Sequence, residues 1–282
     1  MPKRYRDDED TPRPRRVRGH RRRKKGPSGV LIGLAVAGGV ILLAGAGLAA
    51  VLLLDKRGPA GPAADPFPNM LAHWAFEDVA NERVADQTGR GNDAKLVGGG
   101  LGPGVRGKAF YLDGRDDQHL DVSRAKDLNF AAGAEFTIAA WFRTSESHGT
   151  ILAFRHSTGT CQCDLFVRTK HLLAVIGDDN DTSGGSFVWC DAANDGQWHH
   201  AAVTRQGKTI ELYYDGVSAG TQTTALAAGP ITTDLRAIGC NLRFVQDNER
   251  RFGRAGFKGA IDEVYVFSRA LKAPEVQALM KR

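Results

Sequence analysis

The amino-acid sequence predicts an all-β domain, a two-sheet antiparallel sandwich, preceded by one transmembrane helix and a disordered basic tail. Two observations after residue 70 predict the sandwich. Short segments rich in β-branched and aromatic residues alternate with turn residues, and Asp215-Gly216 is the strongest kind of short hairpin signal. The only segment typical of a helix is 274–280, which begins with a proline. The third observation is the apolar run at 29–54, which is long enough to cross a bilayer.

The predicted strands follow one another with short turns between them, over a length that fits a single domain at 71–282. They are 71–76, 108–114, 118–122, 136–144, 150–155, 164–169, 172–177, 186–190, 197–205, 208–216, 236–240 and 259–267. We expect Trp141, Trp198 and Phe257 to face the layer between the two sheets.

The basic character of the chain lies in its N-terminal tail. Residues 1–28 hold 12 Lys and Arg against four acids, whereas the remainder holds 26 against 28. The isoelectric point near 9.2 is therefore no reason to expect nucleic-acid binding by the domain. Nine basic residues at 13–25 directly precede the apolar run, and such residues stay on the cytoplasmic side. We expect a single-pass signal-anchor in the cell membrane, with the N-terminus cytoplasmic and the C-terminal domain extracytoplasmic.

The apolar run has one alternative interpretation, a cleaved signal peptide. The apolar core of a signal peptide usually has about 7–15 residues, and this run has 26. The tail at 1–28 is expected to contact anionic membrane lipid, at about 1 kcal/mol per basic residue. Gly29, Gly33 and Ala37 recur every four residues and offer a face for a weak homodimer through the transmembrane helix. Residues 55–70 hold four prolines, which is typical of an extended stalk.

All four cysteines lie beyond the apolar run. An even number of cysteines in an oxidising compartment favours disulfides. A bridge between Cys161 and Cys163 would close a very small ring, so each is expected to pair with Cys190 or Cys240. Free thiols and a metal site are the alternatives, although the spacing lacks the C-x-x-C pairs of zinc sites.

A series of short motifs then occurs in a distinctive order. They are WAFED (74–78), DQTGRGN (86–92), GKAFYLDG followed by DD (107–117), FTIAAWFR (136–143), QWHH (197–200), YDG (214–216) and FKGAIDEV (257–264). No single motif is specific, but their order over residues 72–282 resembles the laminin G-like, or concanavalin A-like, jelly-roll family. The resemblance implies a module that binds carbohydrate or protein at the cell surface. A structural or assembly module of the cell envelope, with no small ligand, is the alternative.

The same resemblance implies one structural calcium ion and no other cofactor, because laminin G-like domains often hold one calcium. Its candidate ligands by resemblance are Asp86, Asn92, Asp113, Asp117 and Asp262. Their carboxylate and amide oxygens are the ligands that a hard cation prefers.

Catalysis is not expected, although the fold also houses glycoside hydrolases. Glycoside hydrolysis needs two carboxyl groups that converge on one bond. Asp262 and Glu263 are adjacent, and adjacent residues of a regular strand point to opposite faces. No lipase-type serine motif, zinc-protease motif or phosphate loop occurs in the sequence. Ligand contact is expected instead from the segment 155–164 and the acid-rich loop 178–185.

Overall fold

The computed structural model describes residues 67–158, 160–191, 194–246 and 256–282. The predicted tail, the transmembrane helix and nearly all of the stalk lie outside these ranges. Among the residues that the structure describes, no helix is long and apolar enough to cross a membrane.

Strands dominate the regular structure of these residues. The strands are β1 (Met70–Trp74), β2 (Val79–Ala80), β3 (Arg83–Val84), β4 (Ala94–Val97), β5 (Gly100–Pro103), β6 (Lys108–Asp113), β7 (His119–Asp121), β8 (Phe136–Arg143), β9 (His148–Arg155), β10 (Gln162–Arg168), β11 (His171–Gly177), β12 (Ser186–Asp191), β13 (Trp198–Gln206), β14 (Thr209–Tyr214), β15 (Val217–Thr223), β16 (Leu235–Ile238) and β17 (Lys258–Phe267). The α-helices are α1 (Leu242–Gln246) and α2 (Ala273–Leu279), and a 3-10 helix covers Ala225–Ala227.

The strands form two antiparallel sheets, as predicted. Sheet A has the order β15-β14-β13-β8-β17-β6-β5, and β1 pairs with the C-terminal half of β17. Sheet B has the order β12-β11-β10-β9-β16-β7-β4-β3-β2. Asp215 and Gly216 both have positive φ, at 48° and 77°, which is the backbone that a two-residue hairpin between β14 and β15 requires.

The main core lies between the two sheets and is built by strand alternation. On β8, Ile138, Ala140 and Phe142 face inward and are fully buried. Phe257 joins this core, as predicted. The same prediction is wrong for Trp141, which lies between two inward residues and therefore points to the outer face of sheet A. It is also wrong for Trp198, which is half-buried at the start of β13, with the Arg143 guanidinium 5.1 Å from its ring centroid.

A second, smaller core covers the outer face of sheet A. Helix α2 places Val276 and Leu279 against this face, where both are fully buried. The helix occupies the predicted segment, and the Glu275 side chain accepts a hydrogen bond from the Lys272 backbone N–H at its start (2.9 Å). The buried members of this core are Phe67, Met70, Ala139, Ala202, Tyr213, Tyr265, Phe267, Leu271, Val276 and Leu279. The C-terminal end of the chain is thereby fixed to sheet A.

Candidate functional site

Two aromatic side chains stand exposed on β12, the edge strand of sheet B. Phe187 is 49% exposed and Trp189 is 55% exposed, whereas Val188 between them faces the core and is 4% exposed. Residues two apart on a strand share a face and lie about 7 Å from each other. The two rings therefore form one exposed apolar surface on the outer side of sheet B.

Neighbouring strands extend this surface across the sheet. In the register, Trp189 lies opposite Leu173 of β11, and Leu173 lies opposite Phe166 of β10. Both are half-buried. We call Phe166, Leu173, Phe187 and Trp189 the aromatic strip.

A row of polar side chains runs along one side of the aromatic strip. Arg168, His171 and Asp191 occupy successive register positions on β10, β11 and β12. The His171 ring packs edge-on against Trp189, with 5.0 Å between ring centroids, and its Nδ1 lies 3.0 Å from Asp191 Oδ1. The Asp191 side chain is 92% exposed. The strip thus has hydrogen-bonding groups at its border.

On the other side of the strip, the two charged end residues of the predicted contact segment 155–164 bind each other. Arg155 Nε donates to both Asp164 carboxylate oxygens (3.1 and 2.9 Å), and Asn241 Nδ2 donates to Asp164 Oδ2 (3.3 Å). Asp164 is 2% exposed. Its burial raises the pKa of Asp164, and the Arg155 guanidinium opposes that rise. This carboxylate joins β9 to β10 and does not face solvent.

Two aspartates of the acid-rich loop 178–185 accept hydrogen bonds from backbone N–H groups of the loop and of a neighbouring segment. Asp178 accepts hydrogen bonds from the Asn180 N–H (2.9 Å) and the Gly229 N–H (2.6 Å). Asp181 accepts from the Ser183 N–H (2.7 Å). Both aspartates are buried, so they stabilise the loop's conformation.

Two of the five predicted calcium ligands lie together in the turn before β4. Asp86 accepts hydrogen bonds from the His73, Thr88 and Asn92 backbone N–H groups. Asn92 accepts from the Lys126 N–H (2.7 Å) and donates to a β1 carbonyl (2.7 Å). Both side chains are buried and hydrogen-bonded to protein.

The other three predicted ligands lie at two further places. Asp113 and Asp117 share the exposed Arg115, whose Nε is 3.3 and 3.5 Å from their carboxylates. Asp262 is fully buried and accepts hydrogen bonds from the Arg106 N–H (3.2 Å) and the Glu263 N–H (2.8 Å). Within the described ranges, no group of three or more His, Cys, Asp or Glu side chains is arranged to hold a metal ion.

The prediction that Asp262 and Glu263 point to opposite faces is wrong. The register of β17 against β8 shifts between Asp262 and Tyr265, and Glu263 has a φ of +50°. A bulge of this kind re-aims side chains. As a result, Arg106 contacts both acids, with its N–H on Asp262 and its Nη1 3.9 Å from Glu263 Oε1.

The pKa values of these two carboxyl groups are shifted in opposite directions, and both groups are buried. Burial raises the pKa of Asp262 to about 7. Burial also acts to raise the pKa of Glu263, but hydrogen bonds from His73 and Tyr265 outweigh it, and the pKa of Glu263 is lowered. His73 Nε2 lies 2.7 Å from Glu263 Oε2. With exposures of 0% and 6%, the two acids stabilise the outer face of sheet A and offer no surface for a glycan chain.

The predicted disulfides find no support, because all four cysteines are free in the structure. Cys163 aligns with Ile176 of β11, and Cys190 aligns with Leu172, four residues along the same strand. That offset alone is about 13 Å, and a disulfide needs a Cα–Cα distance of about 4.4–6.8 Å. Cys161 donates instead to the Thr232 carbonyl (2.7 Å), and Cys240 Sγ lies 3.4 Å from the Asp116 carbonyl oxygen.

The adjacent residues His199 and His200 face opposite sides of sheet A. His199 Nδ1 lies 2.8 Å from Asp215 Oδ2, and its Nε2 lies 3.1 Å from Asp195 Oδ1. Burial acts to lower the pKa of His199, but the two carboxylates outweigh it and raise that pKa. His200 packs edge-on against Trp141 on the outer face of sheet A. His199 holds the β14–β15 turn to the start of β13.

The aromatic strip is not among the predicted sites, because the prediction of a strand at 186–190 does not say which of its side chains face outward. The signal was present. Phe187, Val188 and Trp189 are three consecutive apolar residues of the predicted strand 186–190, and only one face of a strand in a two-sheet sandwich reaches the core. Alternation therefore leaves Phe187 and Trp189 together in solvent if Val188 is inside.

The jelly-roll sandwich agrees with what the sequence itself matches. The family model described as the concanavalin A-like lectin/glucanases superfamily (Laminin_G_3) matches residues 113–277. The chain belongs to this family. A search of curated protein sequences finds no match.

Similar solved structures include the binding domains of a mosquitocidal protein and of botulinum neurotoxins. The binding domain of Paraclostridial Mosquitocidal Protein 1 is 16% identical with a TM-score of 0.57, covering 75% of this chain and 52% of that one. The botulinum neurotoxin serotype G binding domain is 13% identical with a TM-score of 0.56, covering 76% and 51%. The serotype D ligand binding domain, solved in complex with N-acetylneuraminic acid, is 13% identical with a TM-score of 0.54, covering 76% and 50%. This chain spans about half the length of those domains, and the likeness shows that it shares their fold.

Proposed function

We propose that this protein is a membrane-anchored, extracytoplasmic module that binds carbohydrate at the cell surface through the aromatic strip. The observation that carries the proposal is the exposure of Phe187 and Trp189 side by side on the outer face of sheet B. Large aromatic side chains are usually covered in a stable fold, because their burial contributes much of its stability. Two neighbouring exposed rings on one face favour a binding role.

The polar row beside the strip supports a sugar over a purely apolar ligand. A sugar ring presents apolar C–H faces and a rim of hydroxyl groups. Trp189 offers a flat ring for such a face, and Asp191 and His171 lie at its border to exchange hydrogen bonds with hydroxyls. Ligand sites combine apolar contact with a few placed polar groups in this way.

The membrane anchoring in this proposal rests on the sequence. The apolar run at 29–54 would span the bilayer once, and the basic cluster at 13–25 would keep the N-terminus in the cytoplasm, where it contacts anionic lipid. The proline-rich segment 55–70 would hold the domain away from the membrane surface. Pairing of two copies through Gly29, Gly33 and Ala37 stays a prediction.

A glycan-binding screen of the full chain, purified in detergent, tests the proposal. Wild type and Trp189→Ala are screened against cell-surface and cell-wall polysaccharides, once with calcium and once with a chelator. Binding by the wild type that Trp189→Ala loses in both buffers supports the aromatic strip. Binding that is lost only in chelator would make the predicted calcium ion a requirement. Binding that Trp189→Ala retains in full would overturn the strip as the site.

The alternative is a structural module that binds only other envelope proteins. One observation favours it: Val217, on the edge strand of sheet A, is 63% exposed, and β15 packs beside β12. Exposed apolar side chains on two neighbouring edge strands also suit a protein contact. Analytical ultracentrifugation of wild type, Trp189→Ala and Val217→Asp distinguishes the two functions. Self-association that either substitution abolishes, with no glycan binding, would favour the structural module.

A further inference from the structure

Four buried polar atoms on the outer face of sheet A have no hydrogen-bond partner among the described residues. They are Arg106 Nη1, Trp141 Nε1 and both ring nitrogens of His200. His200 is fully buried. Native proteins pair nearly all such atoms, either with protein groups or with ordered water, because burying a polar group without a partner is costly.

The register brings these atoms to one place. His200 of β13 lies opposite Trp141 of β8, and Trp141 lies opposite Asp262 of β17. The two rings of the first pair meet edge to face, with 5.3 Å between centroids. Arg106 reaches the same place from the loop before β6, since its backbone N–H donates to Asp262 Oδ2.

The chemistry of the group limits what can bind there. Arginine and tryptophan side chains only donate hydrogen bonds, and a neutral imidazole donates one and accepts one. Burial lowers the pKa of His200 to about 3, and the nearby Arg106 charge acts in the same direction, so the ring is neutral near pH 7. The Arg106 charge is already balanced by Glu263, 3.9 Å away. The ligand must therefore be small, uncharged, and able both to accept and to donate.

We propose that Arg106, Trp141 and His200 bind internal water between sheet A and the C-terminal end of the chain. Water accepts from the arginine, indole and imidazole N–H groups and donates to the free imidazole nitrogen, so that two or more water molecules give all four atoms a partner. Arg106 Nη2 donates to the Met280 carbonyl just after α2 (2.7 Å). The water thus connects β8 and β13 to Arg106, which holds the C-terminal turn in place.

Magnetisation transfer from water to the indole N–H groups tests this site. The chain has four tryptophans, so ¹⁵N-labelled full-length protein in detergent gives four indole signals. Single Trp→Phe variants assign them, and if Trp141→Phe does not fold, the other three assign Trp141 by elimination. Trp74 is the matched control, since it is also buried but donates to the Asn92 carbonyl (2.8 Å).

We expect a dipolar cross peak from long-lived water at the Trp141 indole proton and none at that of Trp74. Comparison of laboratory-frame and rotating-frame experiments separates dipolar transfer from proton exchange. A crystal structure of the protein gives an independent readout, with an ordered oxygen expected within hydrogen-bond distance of Trp141 Nε1 and of one His200 nitrogen. Absence of the Trp141 cross peak, or protein atoms in contact with both groups, would overturn the proposal.

Discussion

The two outer faces of the sandwich carry similar aromatic side chains but differ in what covers them. On sheet A, Tyr265 and Phe267 are almost fully buried because helix α2 packs against this face together with Phe67 and Leu271. On sheet B, Phe187 and Trp189 stay half-exposed. The buried rings on sheet A contribute to the stability of the fold, whereas the exposed rings on sheet B lack the stabilisation that burial would provide. This difference supports the proposal that the open rings contact another molecule.

The largest expected effect comes from uncovering sheet A. Leu279→Ala removes a fully buried side chain of α2 and should lower the free energy of unfolding by about 2–5 kcal/mol. The exposed Lys281→Ala, two residues away, should change it by no more than about 0.5 kcal/mol. Urea unfolding of both variants measures the difference. Equal stability for the two would mean that α2 does not seal this face.

The second prediction concerns the proton that the covered face holds on Asp262. Its pKa is about 7 in the folded chain, against an ordinary value of 3.8. Between these values the folded chain binds a proton that the unfolded chain has released, so stability should fall as pH rises from about 4 to about 7. The slope from this one group is at most about 1.4 kcal/mol per pH unit.

Asp262→Asn should flatten this part of the pH profile in urea unfolding, whatever it does to stability at one pH. The matched control is Asp117→Asn, whose side chain is 74% exposed, and which should keep the wild-type slope. Glu263 does not interfere, because its pKa is lowered from 4.5 and its contribution is lost only below that pH. An unchanged slope in Asp262→Asn would show that Asp262 is ionised throughout.

The third prediction separates the open face from the covered one. Trp189→Ala should weaken glycan binding at least tenfold, as expected for an aromatic side chain at the centre of a site. The same change should alter the free energy of unfolding by no more than about 0.5 kcal/mol, since the ring is mostly in solvent. Val217→Ala is the control for an exposed apolar residue on another edge strand. Isothermal titration with the glycan found in the screen measures the first quantity, and a large loss of stability would argue that the ring belongs to the fold.

Much of the fold follows from local sequence, because strand alternation and turn residues act over a few positions. The long strands, the Asp215-Gly216 turn and helix α2 are predicted on that basis. Strands β2 to β5 were missed, since two have only two residues and β5 (GLGP) has little strand propensity. Their partners lie nearby in the chain, as β3 does for β2 and β6 for β5, so these short strands depend on the turns between them.

The site is less predictable because it depends on departures from regular geometry. The bulge at Glu263 places two adjacent acids together, against the alternation rule. Alternation places Arg205 on the inward face of β13 with Val203, where a charged residue is not expected, and it is completely buried. Its guanidinium donates to the Ala131, Ala134, Ala227 and Gly229 carbonyls. Only the folded loops reveal those acceptors. The exposure of Trp189 likewise depends on β12 being an edge strand, which is a property of the topology.

The smallest effect expected is a difference in thiol reactivity between Cys190 of β12 and the other three cysteines. Burial raises the pKa of Cys190 to about 11 and those of Cys161 and Cys240 to about 12, so every thiol should react slowly at pH 8. Cys190 is half-buried beside the open Trp189, and the other three are buried. It should react first with a disulfide reagent, and Cys190→Ser should remove that first phase. Unfolding without reductant should then release four reactive thiols in total. A total of two reactive thiols would indicate one disulfide, and a total of none would indicate the two disulfides that the cysteine count predicts.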